Sequence, residues 1–159
     1  MKSWSIMLAT IFLLFLTSSI PTETTDATIG NNAPLFTLKS DRADVELQSL
    51  RGEYVLVNFW SFEDAQSRIN NIRYDRMAKK LDNRFRMISI NLDNDYQLYD
   101  KIIEIDGLEK ESQFNSKDVV YGQIKKEWHL KNGNRAYLIN PNGEIMAINP
   151  NENQLTELI

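Results

Sequence analysis

Hydrophobic positions divide this chain into one leading apolar block and a series of shorter patterned segments. Residues 6–16 (IMLATIFLLFL) are apolar apart from Thr10. After a polar gap over 21–28, Phe36 and Leu38 alternate with Thr37 and Lys39, the period-two pattern of a half-buried strand. A turn at 41–44 leads to Val45-Glu46-Leu47 as a short partner strand. Residues 54–60 (YVLVNFW) are apolar almost without interruption, as a strand covered on both faces should be. Ala65, Ile69, Ile72, Met77 and Leu81 then recur roughly as one face of a helix.

Further along, 86–93 predicts a strand, and 95–106 a helix with Gly107 as its stop. Residues 108–115 predict a loop from which Phe114 reaches back into the core. The spacing of Val119 or Val120, Ile124 and Trp128 predicts a helix over 118–128. A strand at 135–140, a tight turn at Pro141-Asn142-Gly143 and a return strand at 144–149 follow. Pro150 ends that strand, and 153–159 can form a short last helix. The order implies an α/β protein with a mixed sheet. The two strands joined across the first helix must be parallel, and the final hairpin antiparallel.

Composition narrows the possible functions. At 159 residues the chain suits one domain with a real core. Its net charge of −4 argues against a nucleic-acid partner, which would call for a basic footprint. There is no cysteine, so disulfides, thiolate nucleophiles and thiolate metal sites are excluded. His129 is the single histidine, which excludes His-rich metal sites. The basic run Arg68, Arg73, Arg76, Lys79, Lys80, Arg84 and Arg86 reads better as a solvated helix face than as a site for an acidic partner.

The basic start at Lys2, the apolar block and the small polar Thr17, Ser18 and Ser19 follow the order of a secretory signal. The block is short for a spanning helix, which needs about 20 apolar residues. The expected organisation is residues 1–25 as a signal peptide or an uncleaved anchor, and 26–159 as the folded domain. An exported protein of the periplasm or envelope follows, touching a membrane only through an uncleaved N-terminal segment.

The motifs carry a resemblance to a known family. Residues 55–68 follow V-L-V-N-F-W-A-x-W-C-x-x-C-R, the active-site segment of the thioredoxin-like superfamily in its exported thiol-disulfide oxidoreductase and peroxiredoxin-related branch. Val55, Leu56, Val57, Asn58, Phe59, Trp60 and Arg68 fall in step, whereas Asp64 and Ser67 fill the cysteine positions. Residues 30–38 resemble the family's G-x-x-A-P-x-F-x-L entry, and 133–140 its V-P-T-x-F-L-I-D pattern, with Asn134 at the cis-proline position. The resemblance implies a thioredoxin-like fold: a mixed central β-sheet flanked by helices, with an N-terminal β-hairpin extension.

The dithiol chemistry of that family needs a thiol at the helix N-terminus and a resolving thiol beside it. Asp64 and Ser67 supply neither, and a non-proline at 134 is expected to follow a trans peptide. No catalytic residue, cofactor or metal is therefore expected. Ser61-x-x-Asp64 suits a capping pattern, and Asp64 alone suits an N-cap. A weak metal site from Glu63, Asp64 and His129, or a triad from Ser67 and His129, has no supporting spacing. The resemblance also implies a peptide groove, here lined by Trp60, Phe62, Glu63, Asp64, Gly133 and Asn134. It would take an extended peptide or envelope protein through backbone pairing. The alternative is an oxidoreductase that borrows a thiol from elsewhere.

Overall fold

The computed structural model describes residues 27–81 and 84–159. The expected export segment, residues 1–25, lies outside them. Five strands form the main sheet, in the order β5 (Gln113–Asn115), β4 (Phe85–Asn91), β3 (Tyr54–Trp60), β7 (Ala136–Ile139), β8 (Ile145–Ile148). β3 pairs with β4 in parallel and with β7 antiparallel; β4 and β5 are parallel, β7 and β8 antiparallel. A second, antiparallel sheet has the order β2 (Asp44–Glu46), β1 (Thr37–Lys39), β6 (Val119–Tyr121). Helices α1 (Ala65–Ala78), α2 (Tyr96–Ile105), α3 (Ile124–Glu127) and α4 (Glu152–Leu158) complete the fold. It is an α/β architecture with a mixed sheet flanked by helices and an N-terminal strand pair.

The apolar run of β3 has the cause expected of it. Val55, Val57 and Phe59 enter a cluster with Phe36, Leu38, Trp128 and Tyr137 on the side of the small sheet. Leu56 faces the other way, towards Tyr74, Met77 and Leu155 of α1 and α4. Trp128 sits 5.2 Å from the Phe59 ring and 5.0 Å from Tyr137, whose hydroxyl donates to the Trp128 carbonyl.

Two segments depart from the periodicity. Residues 118–128 do not form one helix: Ser116–Asp118 is a 3-10 turn, β6 follows, and only four residues of α3 are helical. The run Val119-Val120-Tyr121 prefers an extended backbone, and the outer edge of β1 offers it a partner. Gly122 then runs so close to β1 that a Cβ there would lie 2.9 Å from the Leu35 carbonyl oxygen. The expected loop at 108–115 likewise contains β5, with Phe114 buried in the core.

The sheet-facing side of α1 is the apolar stripe only in part: Met77 is buried, and Ile72 and Leu81 pack against core clusters. Ala65 and Ile69 are exposed, while Ser67, Asn71, Tyr74, Asp75 and Met77 are buried. The polar members are satisfied in place. Asn71 Oδ1 accepts from Asn58 Nδ2 (3.1 Å) and from the Ser89 hydroxyl (2.6 Å), and Asn71 Nδ2 donates to Gln113 Oε1 at 3.2 Å. Asn58 also donates to Ser89 Oγ at 3.0 Å. One helix residue thus bonds to three neighbouring strands.

Removing that amide should leave buried partners unpaired. We expect Asn71→Ala to destabilise the fold by about 2–3 kcal/mol in chemical denaturation. Ile69→Ala, on the stripe that looks like core, should stay within about 0.5 kcal/mol. Equal losses would contradict the polar assignment of the buried face.

Candidate functional site

The site lies where β3 leaves the sheet and α1 begins. Asp64 has extended backbone angles and caps α1: its Oδ1 accepts from Gln66 N (3.1 Å) and Ser67 N (3.2 Å). This satisfies two of the free N–H groups of the first turn. Of the two capping patterns in the sequence, Asp64 as N-cap is the one formed. The Ser61 hydroxyl instead donates to Asp93 Oδ1 at 2.6 Å and accepts from Glu63 N at 3.1 Å.

Asn134 comes in from the other side. Its loop starts at His129, in the left-handed region at φ 53, and passes a 3-10 turn at Leu130–Asn132. Gly133 follows at φ 115 and ψ 169, a conformation that strains any residue with a Cβ. No cis peptide occurs among the described residues, so the bond before Asn134 is trans. Asn134 Nδ2 donates to Asp64 Oδ2 at 3.1 Å and lies 3.2 Å from Ser67 Oγ. Ser67 Oγ also accepts from Ser61 N at 3.1 Å and can donate to the Asp64 carbonyl at 2.9 Å. The three positions that would carry two thiols and a proline are therefore hydrogen-bonded to one another.

Hydrogen bonding from the Ser67 N–H holds the Asp64 carboxyl below its ordinary value of 3.8; partial burial opposes this, and Asn134 and Gln66 reinforce it. A carboxylate there gains from the helix end but cannot exchange disulfides. The Ser67 hydroxyl is buried and committed to its neighbours.

The other expected residues divide. Glu63 and Gly133 are exposed, and Phe62 is half-buried against the cluster of Trp60, Tyr99 and Ile102. Phe62 is thus no lone exposed aromatic. Trp60 is a correction: it is fully buried, 6.4 Å from the Tyr99 ring, and lines no groove. In a strand covered on both faces, no side chain is left for solvent. Among the described residues no three His, Asp or Glu side chains gather to hold a metal, so Glu63, Asp64 and His129 do not combine. The bonds of Ser67 run to Ser61, Asp64 and Asn134.

Asp93, missed by sequence reasoning, and Arg68, read there as part of a solvated face, hold the site in place. Asp93 Oδ2 accepts from Phe62 N at 2.8 Å, so it fixes the 61–63 turn from the end of β4. The only signal for this was an acidic residue just past a buried strand. Arg68 makes two 2.7 Å bonds to Asp106, tying the first turn of α1 to the end of α2.

Replacing Asp64 by alanine should cost about 1 kcal/mol at neutral pH. Because its pKa is lower folded than unfolded, the charge contributes fully above about pH 4 and is lost as pH falls through the folded value. The difference between wild type and Asp64→Ala in denaturation should therefore shrink in acid. A gap that widened below pH 4 would contradict this.

No protein-family model matches the sequence, and no curated protein matches it. Solved structures do. A thioredoxin-like protein from Parabacteroides distasonis is 29% identical with a TM-score of 0.70, over 85% of this chain and 96% of that one. The thioredoxin domain of a thiol-disulfide oxidoreductase from Bacteroides vulgatus gives 23% and 0.67, over 82% and 94%. A thiol-disulfide oxidoreductase from Bacteroides fragilis gives 24% and 0.67, over 81% and 100%. With the topology and the placement of Asp64, Ser67 and Asn134, these likenesses give the chain a thioredoxin-like fold, and the absence of cysteine from its sequence is consistent with a degenerate site.

Proposed function

We propose that this chain is an exported, redox-inactive thioredoxin-like protein that serves as a binding accessory rather than a catalyst. The observation that carries the reading is the mutual bonding of Asp64, Ser67 and Asn134, which turns a reactive helix start into a capped and tethered one. Export is supported by the basic start and apolar block of residues 1–16. The binding surface is the groove beside that tether, with Phe62, Glu63, Asp64, Gly133 and Asn134 as its walls. Gly133 is exposed and extended there, which suits main-chain pairing with an extended polypeptide.

Two measurements test this reading. The full-length chain, mixed with insulin and dithiothreitol, should give no reduction above dithiothreitol alone. Catalysed reduction would favour an oxidoreductase that borrows a thiol. Asp64→Cys with Ser67→Cys should then gain dithiol activity on the inherited scaffold. For binding, capture of envelope proteins by the wild type should fall with Phe62→Ala and with Gly133→Trp. Equal capture by all three would place the contact away from the groove.

A further inference from the structure

The main sheet has an open edge far from the tethered helix start. β5 pairs only with Ser89, Ile90 and Asn91 of β4, and no strand among the described residues covers β4 over residues 85–88 on that side. The hydrogen bonds Tyr54 N to Arg84 O (2.7 Å) and Leu92 N to Trp60 O (2.9 Å) turn the even-numbered residues of β4 towards β3. By strand alternation, the backbone groups of Phe85 and Met87 point outward. They face a cleft of about 580 Å³ whose far wall is Ala43 with Asp44 and Val45 of β2, the outer strand of the small sheet. Val45, Leu81 and Phe114 give the cleft an apolar lining.

The upper end of this edge is closed: Arg42 Nη2 donates to the Gln113 carbonyl at 3.3 Å, on the outer side of β5. The lower end is open and acidic. Lys79 is held by Asp75 at 2.7 Å and Arg86 by Glu53 at 3.0 Å, so both cations at the cleft are taken. Asp44 on one wall and Glu109 and Glu111 on the other form no ion pair within 4 Å among the described residues, although Lys79 acts on Glu109 and Arg42 and Lys110 act on Glu111 from farther off. The Glu109 and Glu111 carboxyls lie close enough to act on each other, which raises the Glu109 pKa and lowers that of Glu111. A cation placed between them would relieve that crowding.

We infer that the cleft between β2 and β4 takes an extended polypeptide segment with basic side chains, added as a strand to residues 85–88. About four residues of strand, roughly 13 Å, fill such an edge. The main chain of the guest pairs with Phe85 and Met87, its apolar side chains enter the lining, and its basic residues meet Glu109 and Glu111. This surface is separate from the groove beside Asn134 and does not depend on it.

The test uses the isotope-labelled full-length chain and a capped peptide of alternating valine and threonine flanked by lysines. Backbone resonances of residues 43–45 and 85–88 should shift on titration. Affinity should fall at least about tenfold for the double variant Glu109→Lys, Glu111→Lys, whose changes lie on the exposed rim. A peptide with glutamates for lysines, and one N-methylated at alternate residues, should not bind. Equal affinity of either control peptide, equal affinity of the double variant, or the absence of shifts at 85–88 would overturn the proposal. Shifts confined to Phe62, Gly133 and Asn134 would overturn it too, and leave the groove reading standing. So would exchange protection of the Met87 amide in the chain alone, which would give the edge to a second copy or to the chain's own first residues.

Discussion

A buried amide, Asn71, fixes the first helix against three strands, and the rest of the molecule is arranged around that contact. It belongs to a polar seam that runs along α1 at every fourth position. Ser67 bonds towards the Asn134 loop, Asn71 towards β3, β4 and β5, and Asp75 towards Glu109 N at 2.8 Å. Helices usually meet a sheet through an apolar stripe, which is non-directional. Hydrogen bonds have direction, so this seam sets the rotation and the height of α1 together. Partly satisfied, such a network would be worse than an apolar face. Here each polar seam side chain has a partner.

That placement has consequences at both ends of the helix. At its start, Arg68 and Asp106 lock the first turn to α2, and Asp93 holds the preceding turn. The capped Asp64 is thereby presented to Asn134 at a fixed spacing. At its end, Asp75 holds Lys79 and the backbone of Glu109, and so shapes the acidic wall of the open cleft. The two surfaces with a case for binding are thus positioned by the same helix, yet they lie at opposite ends of it.

How much of this was legible in the sequence depended on what kind of force set each element. β3 was plain because burial on both faces demands an apolar run. A cap at 61–64 was legible because short polar and acidic side chains before a helical segment suit it, but the choice of Asp64 over Ser61 was left to the structure. The face of α1 was misread in part because Ala65 and Ile69 mimic a stripe, whereas the contact joins Tyr74 and Met77 with amides, a hydroxyl and a carboxylate. β5 and β6 were missed because three-residue strands are created by the edges they meet. Asn134 and Asp64 lie 70 positions apart; their meeting was legible only through the family motifs, and the bond between them through no local pattern. Trp60 is the opposite case: its burial was written in the apolar run of β3, and only the family resemblance put it in a groove.

The tether among Asp64, Ser67 and Asn134 also bears on how such a chain changes over generations. Each member satisfies the other two, so replacing one alone strips partners from the remaining pair. A walk by single substitutions from this trio to a dithiol therefore crosses a less stable intermediate, whichever position changes first. The trio acts as a unit, and its members are exchanged together or at a cost.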